Sequence, residues 1–192
     1  MSKYAEWRAR VSAEVRSAFN IPGDIKPGPQ LSQCRLLRAS IDEALRLSPS
    51  FGSALWREVE SAGLRVDDLY IPPGCEVGVS IYALQHHEAY FKDRYTFDPD
   101  RWLDGSASRQ AFMPFSRGPR SCVGKSLAMH ELTLGAAHLL WRFDLEEDVQ
   151  RTMANPLPSD RMEKEYALYE HVTGARTGPF IKWKPAQRYS AA

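Results

Sequence analysis

Cysteine is scarce in this chain of 192 residues: three, at positions 34, 75 and 122, lie too far apart for a C-x-x-C zinc or thioredoxin signature. An odd number also argues against a disulfide framework and for a reducing compartment. A charge excess is lacking too. The 25 Lys plus Arg against 24 Asp plus Glu leave a net charge of +1, so no global field draws the chain to nucleic acid or anionic lipid. No run approaches the ~18 apolar residues of a membrane-spanning helix. Glu6, Arg8 and Arg10 stand where a signal peptide would be apolar, so neither a leader nor a transmembrane anchor is expected. Internal repeats and low-complexity tracts are absent. A content of 43% hydrophobic and 26% charged residues excludes a disordered or fibrous chain. The length fits one domain, or one and a fraction.

What is present is a change of period along the chain. Tyr4, Trp7, Val11, Val15 and Phe19 recur at helical spacing, so roughly residues 3–19 read as an amphipathic helix. Pro22-Gly23 and Pro27-Gly28-Pro29 form a linker outside any helix. Leu37, Ile41 and Leu45 mark a second helix over residues 31–47, stopped by Ser48-Pro49. The period then drops to two. Val77, Val79, Ile81 and Ala83 alternate with smaller or polar neighbours, predicting a strand fed by the Pro72-Pro73-Gly74 turn, with residues 54–59 as partner in a small sheet over 54–84. Residues 88–121 show no period, and irregular stretches of that length are usually functional. A third helix from just after Cys122 to about Phe143 places Val123, Leu127, Leu134 and Trp141 on one face. Over 144–185 the chain returns to strand-like pieces, at 167–172 and 180–183, around turns at Thr173-Gly174 and Gly178-Pro179. The fold class is α+β, mainly α, with a small mixed sheet.

The most informative stretch runs Phe112-Met113-Pro114-Phe115-Ser116-Arg117-Gly118-Pro119-Arg120-Ser121-Cys122-Val123-Gly124. It is a loop that delivers one thiol to the start of a helix, where free N–H groups and partial positive charge favour a thiolate. Gly118 permits a backbone angle closed to other residues, and Gly124 lets the helix approach something bulky. Arg120 places a fixed charge two residues from the sulfur, suited to a carboxylate or propionate. Phe115 can shield the sulfur from water. Such a thiolate is a nucleophile or a metal ligand. His86, His87, His130, His138 and His171 carry no local signature of a base for a nucleophilic cysteine. A lone thiolate beside such an arginine fits haem better.

The string Phe115-x-x-Gly118-x-Arg120-x-Cys122-x-Gly124 resembles the haem-binding loop of the cytochrome P-450 family. Glu43-Ala44-Leu45-Arg46 resembles that family's E-x-x-R, and Phe97-Asp98-Pro99-Asp100-Arg101-Trp102 its later arginine loop. Asp100 departs from the commoner Glu. The order of the three motifs is similar to the family's C-terminal part across nearly all of this chain. The tail at 178–185 and the segment after Cys122 most resemble filamentous-fungal members, many of which oxidise secondary metabolites.

The resemblance implies a haem-thiolate monooxygenase that takes two electrons from an NADPH-dependent reductase, splits O2 on the iron of haem b, and inserts one oxygen atom into a small organic substrate. It implies Cys122 as axial ligand and sole metal ligand, Arg120 and Arg57 as propionate partners, Phe115 as shield, and Gly118 and Gly124 as parts of the cofactor loop. It assigns Glu43, Arg46 and Arg101 to a structural ion cluster and no residue to catalysis itself. No nucleic acid and no second metal are implied. Arg57 reads equally as a strand residue paired with Glu58 or Glu60. Residues 51–55 face substrate over the haem or fill core. Arg109, Arg117 and Lys125 form a docking face for an acidic reductase or are simply solvated. His86 and His87, adjacent on the predicted strand, point to opposite faces and read as structural or surface residues.

Family members are well over twice this length. The part carrying the membrane anchor, most of the substrate cavity and the distal threonine finds no equivalent here: Ala62-Gly63-Leu64-Arg65-Val66 lacks the threonine, and Gly174-Ala175-Arg176-Thr177 lies in the tail. The expectation is a single partial domain over residues 1–192, on the cytoplasmic side, with endoplasmic reticulum association where an N-terminal part precedes it. The alternative is a truncated, non-catalytic fragment that binds haem weakly or not at all, or an interaction module.

Overall fold

The computed structural model describes residues 4–154, 168–170, 174–176 and 180–186. Helix α1 (Ala5–Ala18) buries Val11 and Val15, and Phe19 closes its end. Helix α3 (Arg35–Leu47) follows a one-turn helix α2 (Pro29–Ser32). Two sequence expectations are corrected here. The proline-rich linker is partly helical, because proline is accommodated in a first turn where its amide would be unbonded anyway. The helix expected over 31–47 is interrupted at Gln33 and Cys34. Cys34 at the N-cap of α3 makes no side-chain cap bond. The Glu14 carboxylate on α1 accepts the Leu36 and Leu37 amides instead, at 2.9 and 2.8 Å. A neighbouring helix thus satisfies donors that no helix can satisfy for itself.

The strand predicted over 77–83 ends early. Among the described residues strand β1 (Arg57–Glu58) pairs only with β4 (Glu76–Val77), and Ala54 bridges Ser80. The chain then enters helix α4 (Ile81–Gln85), because the Ser80 hydroxyl caps it by accepting the Ala83 amide at 3.2 Å. Ile81 and Gln85, four apart, are both buried, a helical period hidden inside a short alternating one. Between β1 and β4 lies a hairpin of β2 (Leu64–Val66) and β3 (Leu69–Ile71), with Asp67 at φ 50° in its turn. Gly63 stands before it at φ 72°, where any Cβ would overlap the Tyr70 ring.

Helix α5 (Lys125–Arg142) is followed directly by β5 (Phe143–Glu147) and a short helix α6 (Val149–Ala154). β5 pairs with β8 (Ile181–Pro185), and β6 (Leu168–Glu170) with β7 (Gly174–Arg176). The turn residues Thr173, Gly178 and Pro179, and His171, lie outside the described residues. Every strand pair among the described residues is antiparallel, which corrects the mixed sheet expected above. Each pair is closed within its own ladder of two strands.

The main core joins α1, α3 and the C-terminal half of α5 through Val11, Val15, Phe19, Leu37, Ala137 and Trp141. The Trp141 indole donates to the Phe19 carbonyl at 2.9 Å, so its polar edge is satisfied where its rings are buried. α5 is divided along its length. Met129, Ala137, Leu140 and Trp141 are buried, whereas Leu127 is 64% exposed and Val123, just before the helix, fully exposed. The apolar face predicted along this helix is therefore packed at one end and bare at the other.

Candidate functional site

The site is built on a buried carboxylate. Glu43 and Arg46, one helical turn apart on α3, are both fully buried and joined by two bonds, Arg46 Nε to Oε2 at 2.9 Å and Nη2 to Oε1 at 2.8 Å. Arg101, in the 3₁₀ turn Pro99–Trp102, donates to Oε1 at 3.2 Å. The Trp102 indole donates to Oε2 at 2.9 Å and the Asp98 amide to Oε1 at 3.1 Å. A buried charge is tolerated only when its lone pairs are met, and here five donors meet them. Trp102 and the Asp98 amide are partners that the motif reading missed.

The guanidiniums in turn pin the irregular segment. Arg46 donates to the carbonyls of Gln85, Arg94 and Thr96, at 3.0, 2.7 and 3.2 Å. Arg101 reaches the Lys92 carbonyl at 3.1 Å. A stretch without periodic structure thereby acquires fixed backbone positions from side chains. Asp100 turns outward, where Arg10 of α1 grips it in a fork of 3.1 and 3.2 Å between half-exposed side chains. His86 is buried between Tyr82 and Tyr95, with Nδ1 at 2.9 Å from the Tyr82 carbonyl, and His87 is exposed. Among the described residues no group of His, Cys, Asp and Glu is arranged to hold a metal ion.

The cysteine loop is fixed through its backbone. The Ser116 amide closes a turn onto the Met113 carbonyl at 3.0 Å, and the Ser121 amide onto Gly118 at 3.0 Å. The Cys122 amide donates to the Phe115 carbonyl at 2.9 Å, bringing the two ends of the loop together. Ser116 and Gly118 both take positive φ, 61° and 72°; the first costs strain in a residue with a Cβ. Beyond the loop, Gly124 is the N-cap of α5, and a Cβ there would touch the Cys122 sulfur at 3.8 Å.

Cys122 is exposed, as Cys75 is, while Cys34 is buried in the main core, which pushes its thiol up to about 11. Phe115 is half-buried and packs against that same core. Arg120 is exposed beside Cys122 and makes no ion pair among the described residues. Arg57 is exposed on β1 and donates to the Trp56 carbonyl at 2.6 Å; among the described residues it is paired with neither Glu58 nor Glu60. Phe51 and Leu55 are half-buried, and the Gly52 carbonyl between them accepts from the Ser80 hydroxyl at 2.7 Å and the Tyr82 amide at 3.0 Å. Trp56 and Val79 are 59% and 56% exposed.

A basic cleft opens on α3, lined by Arg35, Arg38 and Arg109 around Asp42 and Trp102. Burial pushes the Asp42 carboxyl up, and the charges of Arg38, Arg109 and Lys125 pull it back. Arg109 and Lys125 therefore share one carboxylate within electrostatic reach. Arg117 is exposed and donates to the Arg109 carbonyl.

Comparison with known proteins adds sequence relatives to this geometry. The profile of a family described as cytochrome P450 matches residues 1–167. A cytochrome P450 monooxygenase of Penicillium oxalicum, poxM, is 47% identical over 186 residues, covering 96% of this chain and 35% of that protein. The monooxygenase apf8 of Gibberella fujikuroi is 46% identical, over 95% of this chain and 52% of its own length. The monooxygenase lcsN of Purpureocillium lilacinum is also 46% identical, over 92% and 54%. The chain spans about a third to a half of the length of these relatives.

Proposed function

Because the chain belongs to the cytochrome P450 family, we propose that it supplies the thiolate-bearing part of a haem-thiolate monooxygenase acting on a small organic substrate in fungal secondary metabolism. The observation that carries the reading is Cys122: an exposed thiol at the end of a backbone-pinned loop, with Val123 and Leu127 bare beside it. The donor set fits haem. A soft, reachable thiol suits iron, exposed apolar side chains suit contact with a flat apolar ring, and Arg120 and Arg57, without carboxylate partners among the described residues, suit its propionates.

Haem b, when bound, would supply the iron on which dioxygen is reduced and split, and a thiolate ligand such as Cys122 would favour the cleavage by donating electron density. The residues of this chain orient and protect. Cys122 ligates. The Phe115 carbonyl fixes the Cys122 amide and so the direction of the sulfur, while the Phe115 ring limits water beside it. Gly118 makes the turn that a side chain would strain, and Gly124 leaves room next to the sulfur. Glu43, Arg46 and Arg101 hold the segment around the loop in place. Arg109, Arg117 and Lys125 form the face for an acidic, NADPH-dependent reductase, met on the cytoplasmic side, at the endoplasmic reticulum where an N-terminal part precedes this chain. Among the described residues no helix is long and apolar enough to cross a membrane.

The bare apolar surface at the thiol also favours a second reading, a chain that binds haem weakly or not at all. One experiment separates the two. The chain is purified with added haem, reduced and exposed to carbon monoxide. A strongly red-shifted Soret band that Cys122→Ala abolishes, and that Cys34→Ala and Cys75→Ala leave, supports the first. No band, or equal loss in all three variants, supports the second.

A further inference from the structure

We propose that Gln85 is a positioning residue for the Cys122 thiol, coupling the buried ion cluster to the cysteine loop. Its side chain is fully buried at the end of α4, and both ends of its amide are engaged. Nε2 donates to the carbonyls of Leu45 and Arg46, at 3.1 and 3.0 Å. These belong to the last turn of α3, where carbonyls lack a helical partner. At Leu45 the lack is written into the sequence, since the residue four further on is Pro49, which has no N–H to give. Oε1 accepts the Met113 amide at 3.0 Å. The Gln85 backbone carbonyl accepts Arg46 Nη1 at 3.0 Å.

Met113 is where the cysteine loop begins. From it the chain passes through Pro114, whose φ is locked by its ring, to Phe115, whose carbonyl holds the Cys122 amide at 2.9 Å. Met113, whose amide Gln85 holds, and Phe115, whose carbonyl holds Cys122, are two residues apart, with the φ of Pro114 locked between them. Gln85 therefore sets the height of the loop relative to α3. No other side chain among those described bonds both the E-x-x-R helix and the loop. The relevance to iron ligation rests on the function proposed above; the coupling itself does not.

The test compares Gln85→Met, which keeps length and removes all three side-chain bonds, with Gln85→Glu, which keeps the acceptor for Met113, and with the core variant Val11→Ala. Amide hydrogen exchange is read at Met113, Cys122 and, as a core reference, Ala137. In Gln85→Met the Met113 and Cys122 amides are expected to lose about tenfold protection beyond any loss at Ala137. Gln85→Glu restores Met113, and Val11→Ala loses no more at the loop than at Ala137. In the haem-loaded chain, Gln85→Met moves part of the red-shifted carbon monoxide band to the unshifted position. Unchanged loop exchange in Gln85→Met, or the same loop-specific loss in Val11→Ala, overturns the proposal. If Gln85→Met does not fold, exchange in the unsubstituted chain decides: Met113 must be better protected than the exposed loop amide of Arg117, and equal exchange overturns the coupling. A missing band in the unsubstituted chain refutes haem ligation and leaves the exchange result standing.

Discussion

Replacing Glu43 with alanine leaves Arg46 and Arg101 buried, at 0% and 5% exposure, with the carboxylate that balanced them gone. It also strands the Trp102 indole N–H and the Asp98 amide, which lose acceptors at 2.9 and 3.1 Å. Breaking a buried ion pair by removing one partner costs about 3–5 kcal/mol, and the two neutral donors push the value to the upper end. Against a typical total stability of about 5–15 kcal/mol, the loss is a third of the fold or more. For a chain of this size, roughly 2–4 °C of melting temperature go with each kcal/mol, so a fall of about 6–20 °C is expected. The informative control is Asp100→Ala. Its partner Arg10 is bound by a similar fork a few tenths of an ångström longer, yet both side chains are 40–47% exposed, and such surface pairs contribute about 0–1 kcal/mol. Thermal unfolding of both variants, followed by circular dichroism, gives the comparison. If Glu43→Ala melts within 2 °C of Asp100→Ala, burial is not what makes the cluster matter.

Glu14→Ala removes the acceptors for the Leu36 and Leu37 amides and is expected to cost about 0.5–2 kcal/mol in urea unfolding, the range for a lost N-cap; Glu14→Gln keeps one acceptor oxygen and turns a donor toward the other amide, so it should recover no more than about half. Gly118→Ala forces a Cβ to φ 72° and should lose about 1–2 kcal/mol. Gly124→Ala meets only ordinary contact with the Cys122 sulfur at 3.8 Å: stability should hold while the carbon monoxide band weakens. The His138 imidazole is held below the usual histidine value by burial and by the Arg142 guanidinium, 2.7 Å from Nδ1. A depressed value means that the unfolded chain takes up the proton first. The stability this group gives is complete above about 6.5 and declines as pH falls from there towards the folded-state value. His138→Gln should flatten that part of the stability profile.

The sequence makes some of these relations legible and hides others for a physical reason. Contact between Glu43 and Arg46 follows from spacing alone, because residues three apart share a helix face. The turn chemistry of the cysteine loop is visible in Gly118 and its flanking prolines. Glu14, Gln85 and Trp102 carry no such signal. Each works across a gap in sequence closed only by packing, and each belongs to a residue type that is usually solvated or simply apolar. The helix at 81–85 was masked by alternating Val77, Val79 and Ile81, where five residues are too few to separate a period of two from one near four. Ser80 as a cap was the one local clue.

Helix α5 behaves mechanically as a beam fixed at one end. Its 18 residues run about 27 Å, clamped in the core around Ala137, Leu140 and Trp141 and held more lightly at Met129, while the free first turn carries Leu127 and leads back to the thiol. A small tilt at the clamp is magnified by that length before it reaches Cys122. The loop bond from Cys122 to Phe115 is then a second support near the tip, and a beam held at both ends cannot swing. Enlarging or trimming a side chain at Trp141, far from the sulfur, would load that second support directly.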